Sequence, residues 1–152
     1  MEPFPFGPFT VHPPTGGLSP RSPAQRPALR FAWRGRPCEA ELAADRVSLA
    51  AIAARIPSSA ERGADRRGAF AALAALPGDL PEGWRLHLLP DHRIRLETAA
   101  PIEGEPPTAV RLIAALVRFG LALDPYLDRL EAVGATAAAG TAAAGGSGTA
   151  KT

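Results

Sequence analysis

Residues 83–98, GWRLHLLPDHRIRLET, and residues 108–123, TAVRLIAALVRFGLAL, decide how this chain folds. The first segment alternates on both sides of a Pro-Asp-His break, with Trp84, Leu86 and Leu88 on one face of the first run and Ile94 and Leu96 on one face of the second. Alternation of period two around a turn signal predicts a β-hairpin. Its loop length follows from which residues must oppose one another. A two-residue loop, Pro90-Asp91, sets Leu86 opposite Arg95 and mixes charge into the apolar face. A three-residue loop, Pro90-Asp91-His92, pairs Leu88 with Ile94, Leu86 with Leu96 and Arg85 with Glu97. The longer loop is therefore expected, with His92 in the left-handed region, which His tolerates better than most residues.

The second segment reads as a helix capped by Thr108, in which only Arg111 and Arg118 are polar, one heptad apart. A helix apolar nearly all round is expected to be buried. Val110, Leu112, Ile113, Leu116, Val117, Phe119, Leu121 and Leu123 are the core candidates. The side shared by Arg111, Ala115, Arg118 and Ala122 is expected to face water or a partner. The apolar stretch is shorter than the roughly 20 residues of a membrane span, and its arginines argue further against one. Asp124-Pro125 then reads as an N-cap with Pro at the first helical position. It predicts a separate short helix over Pro125–Val133 that stops at Gly134.

Working outward, the 152 residues are enough for one domain with a real core. The expected organisation is a Pro-rich disordered arm over 1–28, an α+β domain over 29–134 and a flexible Ala/Gly/Thr-rich tail over 135–152. Met1–Pro27 holds eight of the 17 prolines, and the tail has nothing large to bury. Within the arm, FPFGPF sets Phe4, Phe6 and Phe9 in a polyproline-like context, which reads either as a docking motif for a partner groove or as an extension whose phenylalanines lie on the domain's own surface. Leu29–Leu42 reads as another hairpin. A Gly35-Arg36 loop there pairs Trp33 with Cys38, Phe31 with Ala40 and Leu29 with Leu42.

Arg46–Ile56 fits two templates. Leu49, Ile52, Ala53 and Ile56 make a helix face, and Val47, Leu49 and Ala51 a strand. A short turn at Ala44-Asp45 and the stop at Pro57 favour the strand. Ser58-Ser59-Ala60-Glu61 has the form of a capping box opening a helix to about Leu76, with Phe70, Leu73 and Leu76 inward. The fold class is thus α+β: an antiparallel sheet of two hairpins plus a fifth strand, packed against two to three helices.

Composition narrows the function classes. The net charge is +2, and Lys151 is the only lysine among 17 basic residues, so nothing marks a phosphate-binding surface. Arg30, Arg85 and Arg95 share the expected outer sheet face with Glu39, Glu41 and Glu97. That interleaving, without a stacking aromatic, reads as a solvated ion-paired face and makes nucleic acid an unexpected partner. The single cysteine, Cys38, excludes an intramolecular disulfide. It falls opposite Trp33 in that reading and reads as a core thiol. His87, Asp91 and His92 are the strongest metal-like cluster, but the register sets His87 opposite Arg95, a cation that opposes metal binding. Ser58 and Ser59 lack a G-x-S-x-G elbow, and no glycine-rich phosphate loop is present. No catalytic residue, metal or cofactor is expected. Met1–Pro14 has neither the basic nor the apolar region of a signal peptide, so a cytoplasmic location is the default expectation.

The stretch Arg93–Leu130, a strand with alternating apolar residues leading through a short loop into a closing amphipathic helix, is similar in pattern to the end of class I type III secretion chaperones and YbjN-like domains. In that alignment the strand is Ile94–Leu96 and the helix Ala109–Leu130. VSLAAIAARIP, Val47–Pro57, takes the place of the third strand. The chain departs from the chaperones in having a Pro-rich arm where they begin with a helix. The resemblance implies a dimeric, non-enzymatic chaperone that holds an extended segment of a secreted partner. Together with the residues, it predicts a protein-binding module with Phe4, Phe6, Phe9, Arg111 and Arg118 as candidate contact residues. The alternative is a regulatory or structural adaptor acting through its N-terminal arm.

Overall fold

A computed structural model of the protein describes residues 1–22, 27–43, 45–56 and 66–135. The described residues form an α+β fold, with two antiparallel sheets and two helices. The larger sheet contains β4 (Ala28–Trp33), β5 (Arg36–Leu42), β6 (Arg46–Arg55), β7 (Arg85–Leu88) and β8 (Arg93–Pro101), in the spatial order β4-β5-β6-β8-β7. Helix α1 spans Arg66–Ala75 and runs into a 3-10 turn, Leu76–Asp79; helix α2 spans Ala109–Ala132. Alternate residues of the sheet, among them Cys38, Val47, Leu49, Ala51, Ile94 and Leu96, point to one side. There they bury with Leu112, Phe119, Leu123, Leu127 and Leu130 of α2.

The β7–β8 hairpin has the expected register: Leu88 opposes Ile94, Leu86 opposes Leu96 and Arg85 opposes Glu97. Leu89 and Arg93 close the loop (Leu89 N to Arg93 O, 2.8 Å), and His92 sits at φ 67°. Arg46–Arg55 is a strand at the centre of the sheet, in agreement with the strand template. Its bulge at Ala53 turns Ala53 and Ala54 both inward, each fully buried. The carbonyl of Ala53 accepts from Nε of Arg36, the one buried charged side chain among the described residues.

The β4–β5 hairpin differs from expectation by two residues. Phe31 opposes Cys38, Leu29 opposes Ala40 and Trp33 opposes Arg36, so the loop is Arg34-Gly35 and not Gly35-Arg36. Both loop residues have positive φ, 51° and 78°, as a type I′ turn demands. Because the slip is an even number, every side chain keeps its face.

Residues 1–20 depart further. The expected disordered arm is a three-stranded antiparallel sheet of β1 (Phe4–Phe6), β2 (Phe9–His12) and β3 (Gly17–Pro20). Its prolines occupy positions where a missing N–H costs nothing: Pro8 in the β1–β2 turn after Gly7 (φ 58°), Pro13 and Pro14 in the β2–β3 loop, Pro5 and Pro20 on edge strands. Phe9, Val11 and Leu18 are buried in the common core. This small sheet is tied to the start of α2, where Gly16 O accepts from Ala109 N (2.9 Å) and Leu18 N donates to Pro107 O (2.8 Å). The Gly16 carbonyl and the Thr108 side chain, which accepts from Arg111 N as anticipated, therefore satisfy two of the free N–H groups at the start of α2, those of Ala109 and Arg111.

Helix α2 does not break at Asp124. It continues through Pro125 to Ala132, and Asp124 is engaged by side chains of the β4–β5 hairpin instead of capping a new helix. Pro125 denies a hydrogen bond to the carbonyl of Leu121; both residues face water, which can take its place. In α1, Ala69 and Leu73 turn inward together with Leu76 of the following turn, spaced i, i+4, i+7, while Phe70 falls off that face and is 37% exposed. The capping box at residues 58–61 and the tail at 136–152 lie outside the described residues. No described helix is long and apolar enough to cross a membrane.

Candidate protein-binding surface

The largest departure from the sequence reading lies on α2, and it makes a surface. Of the eight apolar residues expected to be buried, Leu112, Phe119 and Leu123 are, and Leu116 is half-buried. The other four are open: Val110 is 75% exposed, Ile113 45%, Val117 43% and Leu121 58%. Their places in the core are taken by Ala115, Gly120, Leu127 and Leu130. The sheet covers only one side of a helix that is apolar on both. Val110, Ile113, Val117 and Leu121 recur at the spacing of one helical face and form a continuous stripe along the first half of α2.

Arg111 and Arg118 are exposed on one flank of this stripe. Arg111 has a single long contact, 3.9 Å, to exposed Glu103, and Arg118 has no ion-pair partner among the described residues. Ala115, expected on that open side, is buried against the sheet. On the other flank the ring of Trp33 lies against Gly120, where a Cβ would stand 2.2–2.5 Å from the ring carbons. Trp33 Nε1 donates to Asp124 Oδ1 (2.8 Å), and Arg34 bonds Asp124, Asp128 and Glu131 of α2. Arg36 adds a bond to Glu131 and one to the carbonyl of Arg34. Asp124 is held below the usual carboxylate range, first by the Trp33 N–H and then by the Arg34 guanidinium. This network fixes the tip of the β4–β5 hairpin to α2 and makes Trp33 part of the wall beside the stripe. Its sequence signal was the i, i+4, i+7 run of acids at 124, 128 and 131, opposite the arginines of a hairpin far away in the chain.

The three phenylalanines of FPFGPF are not displayed together. Phe9 is 1% exposed and belongs to the core, Phe6 is partly buried against it, and Phe4 is 46% exposed. Phe6 and Phe9 oppose each other across the β1–β2 turn, so the motif builds a hairpin, and Phe9 is not free to enter a partner's groove. Phe4 is the member that a partner can reach.

The side of the large sheet away from α2 is charged. Arg30, Glu39, Ala50, Glu97 and Arg85 lie in one row across five strands, with small Ser48, Ala50 and Ala99 along the floor of a shallow groove. Glu97 accepts from Arg95 Nε (2.9 Å) and contacts His87 Nε2 (3.0 Å), contacts that hold its carboxyl below the usual range. His87 opposes Arg95 as the register requires, and Asp91 is bonded by Arg93. Burial pushes the Cys38 thiol up to about 11, far from a reactive thiolate. Ser58 and Ser59 lie outside the described residues.

Set against protein-family models, curated proteins and solved structures, the chain matches none.

Proposed function

We propose that the protein is a non-enzymatic protein-binding module, and that the outward face of α2 is its contact surface. The observation that carries this is the stripe Val110, Ile113, Val117, Leu121. Scattered exposed apolar residues are ordinary, but four on one face of one helix, with cations alongside, fit a recognition surface. Exposure of this kind is costly in water and is relieved when a partner covers it. The chaperone-like form of this reading, holding an extended partner segment, has the β4 and β7 edges and the charged sheet face at its disposal. An adaptor acting through residues 1–22 has Phe4 to offer, since Phe9 is in the core.

The test uses the full chain and a Val117→Asp, Leu121→Asp double variant, which replaces side chains already facing water and should fold by circular dichroism. Affinity capture from native lysate should retain a protein on the wild type and lose it on the variant. Equal retention by both, or none by the wild type, would reject α2 as the contact surface.

A further inference from the structure

The stripe on α2 has a geometry that bears on what kind of partner would cover it. At about 100° per residue, Val110, Ala114, Val117 and Leu121 fall within a narrow sector of the helix, with Ile113 at its border. Arg111 and Arg118 both project roughly 80–100° to one side of Val110. The opposite border is Ile113, Leu116 and Gly120, with the Trp33 ring beyond. From Val110 to Leu121 the stripe is ~17 Å long, three turns.

Apart from the Leu121 carbonyl that Pro125 leaves to water, the backbone of α2 along this stripe satisfies its own hydrogen bonds, so this face offers little but side-chain ridges. An extended segment would lie on it with its N–H and C=O groups unpaired, which disfavours a strand as the occupant. A helix brings its backbone already satisfied and packs ridge into groove.

A second copy of this chain is a poor fit for reasons of charge. In an antiparallel two-fold pair each flank meets its own image, so Arg111 and Arg118 would face Arg111 and Arg118. In a parallel pair the arginine flank would face Leu116 and the Trp33 side. The segment Val110–Leu121 contains no carboxylate to answer either arrangement. Arg118 has no ion-pair partner among the described residues, and the 3.9 Å contact of Arg111 to an exposed Glu103 is easily exchanged.

We infer that the partner contributes an amphipathic helix of about three turns whose apolar ridge is bordered by acidic residues one heptad apart, placed to pair with Arg111 and Arg118. This rests on the protein-binding reading of α2 given above.

The probes are two synthetic helical peptides of about three heptads with leucine at the a and d positions, identical except that the flanking positions are all Glu in one and all Lys in the other. Fluorescence anisotropy with the full chain at low salt should show saturable binding of the Glu peptide, tighter than the Lys peptide by about tenfold. Arg111→Glu together with Arg118→Glu should reverse that order, and Val117→Asp should remove binding of both. Because the charge reversal predicts a gain for the Lys peptide, it cannot be mimicked by misfolding. Equal affinity for the two peptides, no binding of either, or a dimer in light scattering that Val117→Asp converts to monomer would each overturn the inference. The last result assigns the stripe to a second copy. If stripe-dependent capture from lysate succeeds while the peptides fail to discriminate, the acidic helix is wrong and the protein-binding reading stands. If capture fails as well, both fall.

Discussion

Gly120→Ala is the substitution on which helix propensity and packing disagree most sharply. By propensity alone, alanine should stabilise the middle of α2 by about 0.8–1.0 kcal/mol. The Trp33 ring decides otherwise. A Cβ on residue 120 would lie 2.2, 2.4 and 2.5 Å from Cδ2, Cε2 and Cε3, the fused centre of the indole and not a flexible tip. Ordinary contact needs ~3.5 Å, so the ring must retreat by roughly 1 Å. It is not free to do so, because its Nε1 bonds Asp124 at 2.8 Å and its backbone sits in the hairpin held by Arg34. Overpacking costs about 1–3 kcal/mol, and losing a part-buried bond to a carboxylate adds about 1.5 kcal/mol. After the propensity gain the variant should be destabilised by about 2–3 kcal/mol. Urea unfolding of Gly120→Ala in wild-type and Trp33→Ala backgrounds measures it. In the Trp33→Ala background the same change should be neutral or stabilising by up to ~1 kcal/mol. A stabilised single variant, or the same effect in both backgrounds, would show that the ring does not rest on Gly120.

Deleting residues 1–22 should lower the melting temperature by more than about 5 °C, because it removes Phe9, Val11 and Leu18 from the core, each worth ~1.5–3 kcal/mol gross; an unchanged melt would mean that the small sheet adds nothing to the core. The depressed pKa of Asp124 adds stability that is complete above its unfolded value of about 3.9 and fades as pH falls through the lower folded value, so acidification from pH 5 to 3 should weaken wild type more than Asp124→Asn; parallel loss in urea midpoints would exclude that linkage. His92→Gly should be neutral or stabilising by up to ~1 kcal/mol, since φ is 67° there, and His92→Val destabilising; the reverse order in thermal melts would contradict a left-handed turn residue. Cys38 should resist alkylation at pH 8 until urea unfolds the protein, and rapid labelling of the native state would refute its burial.

Where the sequence could be read and where it could not follows from how local the deciding interactions are. The β7–β8 register was legible to the residue, because both strands alternate and the alternative loop puts Arg95 against Leu86. The β4–β5 register was not. Gly35 serves as the first residue of one turn type and the second of another. What favours Arg34 in the loop is a set of carboxylates on α2, some 90 residues along the chain. Residues 1–20 read as unstructured by proline content, which says nothing of where each proline sits; Phe9 and Val11 alternate as a strand should, and Leu18 follows at the same face. In α2 the apolar residues on every side identified a helix but not its covered half. Pattern alone placed Val110 and Leu121 in the core, where the sheet, having one face to spare, left them outside. That error and the candidate surface are the same fact.

The strand order of the large sheet bears on how the protein assembles. The β4–β5–β6 meander and the β7–β8 hairpin are each made of neighbours in the chain, and such ladders close in microseconds. The β6–β8 ladder is different in kind: it pairs Arg46 with Pro101 and Arg55 with Arg93, joining two locally formed halves across α1 and its flanking segments. Loop closure over that distance is an entropic cost met before any contact across it is made, which places the β6–β8 seam late on the folding route. In the native protein that seam is the longest ladder of the large sheet, with α2 packed over its β6 side. Amides of β8 that bond to β6 should then exchange together, as one cooperative unit.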